Sequence, residues 1–218
     1  MISVLIMDVS GSSRAGEEVF EHLSWLEKEI STWVSDEDFF HVDYRMGDEL
    51  FILSSTRHYT LFIAIYAKLL WPDNDFPLKC SYISADTEPP EGDPEQWSSQ
   101  EIKDTRSALD EIKKSAIQDF ASPGMTDEID VATMYLTDIL NGMTPLQQEV
   151  ASLRLGGMRQ KDISLMLDKN ESTISAHYRK SRGRQLERIL SFLVQYHDTD
   201  IDKLNEKFTA SFNRRLES

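Results

Sequence analysis

The sequence predicts an α+β chain in two parts, a βαββαβ domain over residues 1–122 and an all-helical domain over residues 123–218. Three observations predict it. Strand and helix signals alternate through the first 86 residues, helical periodicity alone dominates from Ser98 onward, and Ser122-Pro123-Gly124 breaks the chain before the last helices. A length of 218 residues suits two compact units, and 40% hydrophobic residues suffice for their cores.

Ile2 to Val9 is apolar enough to be buried on both faces of a sheet, and Ser10-Gly11-Ser12-Ser13 turns the chain after it. Arg14 to Val34 predicts an amphipathic helix, with Val19, Leu23, Leu26, Ile30 and Val34 at helical spacing. Phe39 to Arg45 and Glu49 to Ser54 are strands separated by the tight Met46-Gly47-Asp48, a hairpin. Thr56 to Leu70 is a second helix that stops at Trp71-Pro72, and Leu78 to Ser84 is a fourth strand. This order is the ferredoxin-like plan, whose first and third strands lie adjacent at the centre. Asp8 and Asp48 then meet at one sheet end beside the helix N-terminus and the small residues Ser10, Gly11, Ser12 and Gly47. Such a geometry suits Mg²⁺ bridging a nucleotide triphosphate; turn-forming acids are the alternative.

Residues 86–97 are acidic and Pro-rich, too polar for a core. Ser98 to Phe120 reads as a helix with Ile102, Thr105, Leu109, Ile112 and Ile117 inward, and Asp127 to Leu140 as another. Trp25, Trp33, Trp71, Phe20 and Phe62 fit helix faces and ends, which makes them core. The single cysteine, Cys80, lies in an apolar run as a small core hydrophobe and cannot form an internal disulfide. With no signal peptide and no apolar run near the length of a membrane span, the expected location is the cytoplasm, away from membranes. The five histidines show no metal-ligand spacing.

Residues 144–182 spell a helix-turn-helix. Thr144 caps a first helix, Pro145 needs no N–H there, Gln147 completes a capping box, and Gly156-Gly157 supplies the stop. Arg159 to Leu167 is a short second helix, and Asp168-Lys169-Asn170 turns into a third whose expected cap is Asn170. On that third helix Ile174, His177, Tyr178 and Ser181 share an inward side, while Ser172, Ser175, Ala176, Arg179 and Gly183 form the opposite arc, suited to base edges in a major groove. Residues 143–190 hold 9 Lys and Arg against 5 Asp and Glu, whereas the whole chain carries a net charge of -15. An acidic protein of this kind binds double-stranded DNA only through its basic segment. Arg159, Lys161, Lys169, Lys180, Arg182 and Arg184 are the candidate phosphate contacts. A surface unit for protein contacts is the alternative. Arg184 to Tyr196 and Asp200 to Leu216 are two further amphipathic helices, which either pack on the helix-turn-helix or form a homodimer interface.

Through Gln160-Lys161-Asp162-Ile163 and Ser172-Thr173-Ile174-Ser175 the segment resembles sigma-factor region 4 and related response regulators. Asp168 and Lys169 stand where that family usually has a Gly and an apolar residue, and Asp tolerates the left-handed conformation required. The resemblance implies DNA binding, with Thr173 in the reading segment and RNA polymerase as a further partner. Through Met7-Asp8-Val9-Ser10-Gly11-Ser12 and Arg45-Met46-Gly47-Asp48-Glu49-Leu50, the first part resembles class III nucleotide cyclases. The two-part layout is similar to the SatD-like bacterial proteins. This resemblance implies Asp8 and Asp48 as metal carboxylates, Glu49 as the neighbouring acid and Arg106 at the phosphates. Ile102 stands where such enzymes place an Asn, so the expected first part is a catalytically inactive sensor or assembly domain. Mg²⁺ with a nucleotide is the one cofactor implied. The expectation for the whole is a bacterial DNA-binding transcriptional regulator, more simply a non-enzyme; an active nucleotidyl cyclase and a sigma-like polymerase adaptor are the rivals.

Overall fold

In a computed structural model, described at every residue except 46–47, 56–58, 72–74, 90, 95–96 and 218 and without the side chains of 213 and 215–217, the chain is a mixed α+β protein. It divides into two compact units, residues 1–137 and 138–218.

The first unit runs β1 (Ile2–Val9), a 3-10 turn (Ser12–Arg14), α1 (Glu17–Trp33), β2 (Phe40–Arg45), β3 (Glu49–Ser54), α2 (Tyr59–Leu70), β4 (Leu78–Ala85), α3 (Gln100–Ile112), β5 (Phe120–Ala121) and most of α4 (Asp127–Asn141). The sheet order is β2-β3-β1-β4-β5. Neighbours are antiparallel except β4 and β5, which run parallel. Met46 and Gly47 of the expected hairpin turn, and residues 56–58 of the expected second helix, lie outside the described residues.

Every residue of β1 is buried, Ser3 and Asp8 included, as its otherwise apolar run suits a central strand. Ile2, Val4 and Ile6 point to one face and join Phe51, Leu53 and the α3 residues Ile102, Leu109 and Ile112 in a single cluster. Leu5, Met7 and Val9 point the other way, where α2 packs on β1 and α1 packs on α2. Each of these large side chains contributes roughly 1.5–3 kcal/mol by leaving water.

Two expectations are corrected here. The helix predicted to reach Phe120 stops at Ile112, and Ile117 is exposed rather than inward. Phe120 instead begins β5, because Asp119 is drawn into the interior by two lysines. Asp119 accepts from Lys79 Nζ at 2.7 Å and also from Lys68 Nζ, and all three side chains are almost fully buried. Lys79 donates further to the carbonyls of Ser115 and Gln118 at 2.6 and 2.9 Å. Cys80 lies among these charges; burial pushes its thiol up to about 12, so it stays a neutral core group.

The boundary between units falls inside α4, after Thr137, thirteen residues beyond Ser122-Pro123-Gly124. The physical reason is that α4 is tied back to the sheet edge. Asp119 N donates to Thr137 Oγ1 at 3.0 Å and Gln118 Nε2 to Asp130 Oδ1 at 2.8 Å.

The described elements of the second unit after α4 are α5 (Pro145–Leu155), α6 (Gln160–Met166), α7 (Glu171–Lys180), α8 (Gly183–His197) and α9 (Asp202–Glu217). Leu186, Leu190 and Leu193 of α8 and Leu204, Phe208 and Phe212 of α9 are buried, and α9 packs on α5. Thr209 Oγ1 lies 3.4 Å from the Gly156 carbonyl, at the stop of α5. Among the described residues no helix is long and apolar enough to cross a membrane.

Candidate functional site

Two places gather the residues singled out in the sequence, one in each unit. At the sheet end, Asp8 of β1 stands in register with Glu49 of β3 and Lys79 of β4. Cross-strand partners point to the same face, which here is the α3 face. There Asp8 Oδ2 accepts from Lys113 Nζ at 3.1 Å, and Glu49 Oε1 accepts from Arg106 Nη2 at 2.8 Å. Arg45 approaches Glu49 at 3.7 Å and lies over the Phe51 ring at 3.9 Å. Asp48 accepts from the Ser12 hydroxyl. Ser10 Oγ donates to the Lys113 carbonyl at 2.9 Å, which ties the β1 loop to the end of α3. Gly11 has φ of +79°, a conformation its missing side chain makes inexpensive. Gly47 lies outside the described residues.

Asp8, Asp48, Ser10, Gly11, Ser12 and Arg106 therefore share one neighbourhood, and the sequence had not included Lys113 in it. Lys113 was within reach of helical spacing, since it sits two turns after Arg106 on the same side of α3. Its presence changes the chemistry. Asp8 and Glu49 each face a protein cation, and Asp48 accepts from a neutral hydroxyl. Among the described residues no group of three or more His, Cys, Asp or Glu side chains is arranged to hold a metal. A Mg²⁺ is commonly held by one or two carboxylates with waters and substrate phosphates completing its shell, and here it would have to displace Lys113 from Asp8 and Ser12 from Asp48. Ile102, expected at the catalytic Asn position, is buried in the α3 cluster and directs no polar group anywhere.

Burial is the main cause holding the Asp8 carboxyl above its ordinary value; the Lys113 hydrogen bond pulls it down, and Asp48 and Glu49 push it further up. An acid raised in the fold holds its proton more tightly there than in the unfolded chain. The stability it contributes is present at low pH and is lost as pH rises from the unfolded value near 3.9 through the folded value. Asp8→Asn should flatten this part of the pH profile, and Lys113→Met should steepen it. Melting curves taken from acid to neutral pH check both, and an unchanged profile in Asp8→Asn would remove the carboxyl from the argument.

In the second unit the capping box forms as the sequence requires. Gln147 N donates to Thr144 Oγ1 at 3.4 Å, and Thr144 N to Gln147 Oε1 at 3.2 Å. Gly157, with φ of +83°, turns the chain out of α5. Ile163 of α6 and Ile174 of α7 are both buried, which fixes how the two short helices cross. Asp168 takes φ of +48° in the turn between them. The turn is closed by bonds that the sequence did not announce. Ser164 Oγ donates to the Lys169 carbonyl at 2.5 Å, and Gln160 Nε2 to the Glu171 carbonyl at 2.9 Å.

This clamp leaves Ser172, Ser175, Arg179 and Lys180 of α7 exposed, with Thr173 and Ala176 half-buried beside them. Lys161 and Lys169 are exposed nearby, and Arg159 is exposed while pairing with Asp162 at 2.8 Å. Two residues depart from the expected arc. Gly183 is buried at the start of α8, because the Tyr178 ring lies where its Cβ would be. Arg182, with φ of +57°, is not free for a phosphate; it donates to the Asp138 carboxylate at 2.7 Å and to its carbonyl at 2.8 Å. That clamp sets the corner from α7 to α8. No family model, curated protein or solved structure matches this chain.

Proposed function

We propose that the chain is a DNA-binding transcriptional regulator of the bacterial, SatD-like kind. In this reading α7 reads the major groove, and the first unit is an inactive nucleotide-cyclase-like sensor or assembly domain in the cytoplasm. The observation that carries it is the exposed arc Ser172, Ser175, Arg179 and Lys180, held on a helix whose other side is pinned by Ile174 and Ser181. A helix that enters a groove needs small hydrogen-bonding groups in front, cations at its flanks and a rigid apolar back. Residues 143–190 supply the cations, 9 Lys and Arg in an otherwise acidic chain.

The ferredoxin-like reading of the first unit draws its support from the order β2-β3-β1-β4. The inactive reading draws support from pairing, since Lys113 holds Asp8, one of the two acids that a metal-dependent cyclase would keep open, and Arg106, expected at the phosphates, is paired with Glu49. One observation favours the adaptor as a second reading. Leu165 and Met166, at the end of α6 beside the turn, are exposed, and apolar side chains there suit a protein partner such as RNA polymerase.

Binding to a duplex selected from random sequence, followed by salt titration, tests the proposal. Arg179→Ala should cost about 1–3 kcal/mol on the selected duplex and relax its specificity, while Lys180→Ala should weaken all duplexes alike and reduce the salt slope. Equal, sequence-independent losses in both variants would mean that α7 does not read bases. Polymerase association without any duplex binding would favour the adaptor.

A further inference from the structure

Beyond the reading helix, α8 turns Leu186, Leu190 and Leu193 inward and presents a second stripe to solvent. Phe192 and Tyr196 are 37% and 44% exposed, and their rings pack on each other with centroids 5.7 Å apart. Arg188 and Gln195 border a shallow cleft beside Phe192. At the N-terminal end Arg184 and Arg188 are exposed, and neither enters an ion pair among the described residues. At the C-terminal end Asp198 and Asp200 are exposed.

A face with a basic start, an aromatic middle and an acidic finish is complementary to itself when run antiparallel. We propose that a second copy of this chain docks here, α8 against α8, about a two-fold axis at Phe192. An isologous contact pairs residue i with j and j with i, so Arg188 faces Tyr196 of the other copy and Arg184 faces the acidic corner. The spacing agrees with the reading of α7, on which this part of the inference rests. Phe192 lies ten residues past Arg182, about 15 Å along a helix. Two copies joined at Phe192 hold the ends of their α7 helices about 30 Å apart, near the ~34 Å between half-sites one DNA turn apart. One helix face is small against a standard interface of about 1,200–2,000 Å². The free protein should therefore dimerise at about micromolar concentration and tighten on a palindromic duplex.

Sedimentation equilibrium of the full chain should show monomer and dimer, with Phe192→Glu weakening association by roughly 30-fold or more at an unchanged melting temperature. Arg184→Glu with Arg188→Glu should weaken it too. Adding Asp198→Lys and Asp200→Lys in the same chain should restore it, because each reversed end then meets the other reversed end. Phe192→Cys should give a disulfide-linked dimer on oxidation, whereas Gln185→Cys, placed about 20 Å from its mate, should not. A chain that stays monomeric at every concentration and on a palindromic duplex overturns the proposal, as does a dimer indifferent to Phe192→Glu. A dimer that is sensitive to Phe192→Glu but binds no duplex supports this interface and overturns the DNA reading instead.

Discussion

Asp119→Asn should lower the free energy of unfolding by about 3–5 kcal/mol, because it leaves two buried ammonium groups without their carboxylate. Lys68 reaches Asp119 from α2 and Lys79 reaches it from β4, and each of the three is nearly excluded from water. One carboxylate balances one ammonium. Lys79 also donates to the Ser115 and Gln118 carbonyls and Lys68 to the Leu78 carbonyl at 3.4 Å, but with two ammonium groups on one carboxylate one positive charge is in excess. Burial, its largest influence, holds Lys68 below the ordinary lysine range against the pull of Asp119. For Asp119 burial pushes upward, but Lys68 and Lys79 together outweigh it and hold the carboxyl below the usual range.

Contrasting variants follow from that imbalance. Lys68→Met should cost about 1 kcal/mol or less, or stabilise, since it leaves a neutral Asp119–Lys79 pair and an apolar group of similar volume. The pH dependence has a definite sign. An acid lowered in the fold contributes stability that is present above the unfolded value near 3.9 and is lost as pH falls through the folded value. Acidification below about pH 4 should therefore weaken the natural chain through this group, and Asp119→Asn should lack that component. Urea unfolding across this range decides it; an Asp119→Asn variant as stable as the natural chain would mean that the two lysines find other acceptors.

Gly183→Val should destabilise the second unit by about 3 kcal/mol, at the upper end of what overpacking costs. A Cβ at Gly183 would stand 2.1 Å from Tyr178 Cε2 and 2.4 Å from Cζ, distances no relaxed pair of carbons adopts. Gly183 itself is buried, so relief must come from the half-buried ring, over which Arg154 lies at 5.5 Å. Any accommodation must open the corner between α7 and α8 that Arg182 clamps to Asp138. On the proposed DNA-binding reading, duplex affinity should fall along with stability. Calorimetric melting of the variant is the check, and an unchanged transition would show that Tyr178 swings clear at no cost.

The three helices α5 to α7 and their turns were legible because their determinants are local. Thr144 and Gln147 cap across three residues, Asp168 accepts a left-handed turn by its own chemistry, and the 3.6-residue period sorts Ile174 and Ser181 from Ser172, Ser175 and Arg179. The buried β1 and the span of β3 were legible for the same reason, since each is a run of residues with one hydrophobic pattern. Gly183 misled for a local reason as well. A small residue on an exposed arc and a small residue under a neighbouring ring look alike until the ring is placed.

What the sequence determined by itself was the kind of element over most of the chain, the capping box of α5 and the basic segment within an acidic chain. Only the tertiary structure decided that α3 ends early, that β5 exists and that α4 belongs partly to the first unit. The reason is that these depend on Asp119 meeting Lys68 and Lys79, groups brought together from 51 and 40 positions away. Charges so far apart in sequence leave no periodic trace, yet burying them unpaired is too costly to allow, so the chain bends to satisfy them. The same holds at the sheet end, where Lys113, at the end of α3, meets Asp8 from 105 positions away and turns a candidate metal ligand into a partner of the protein's own cation.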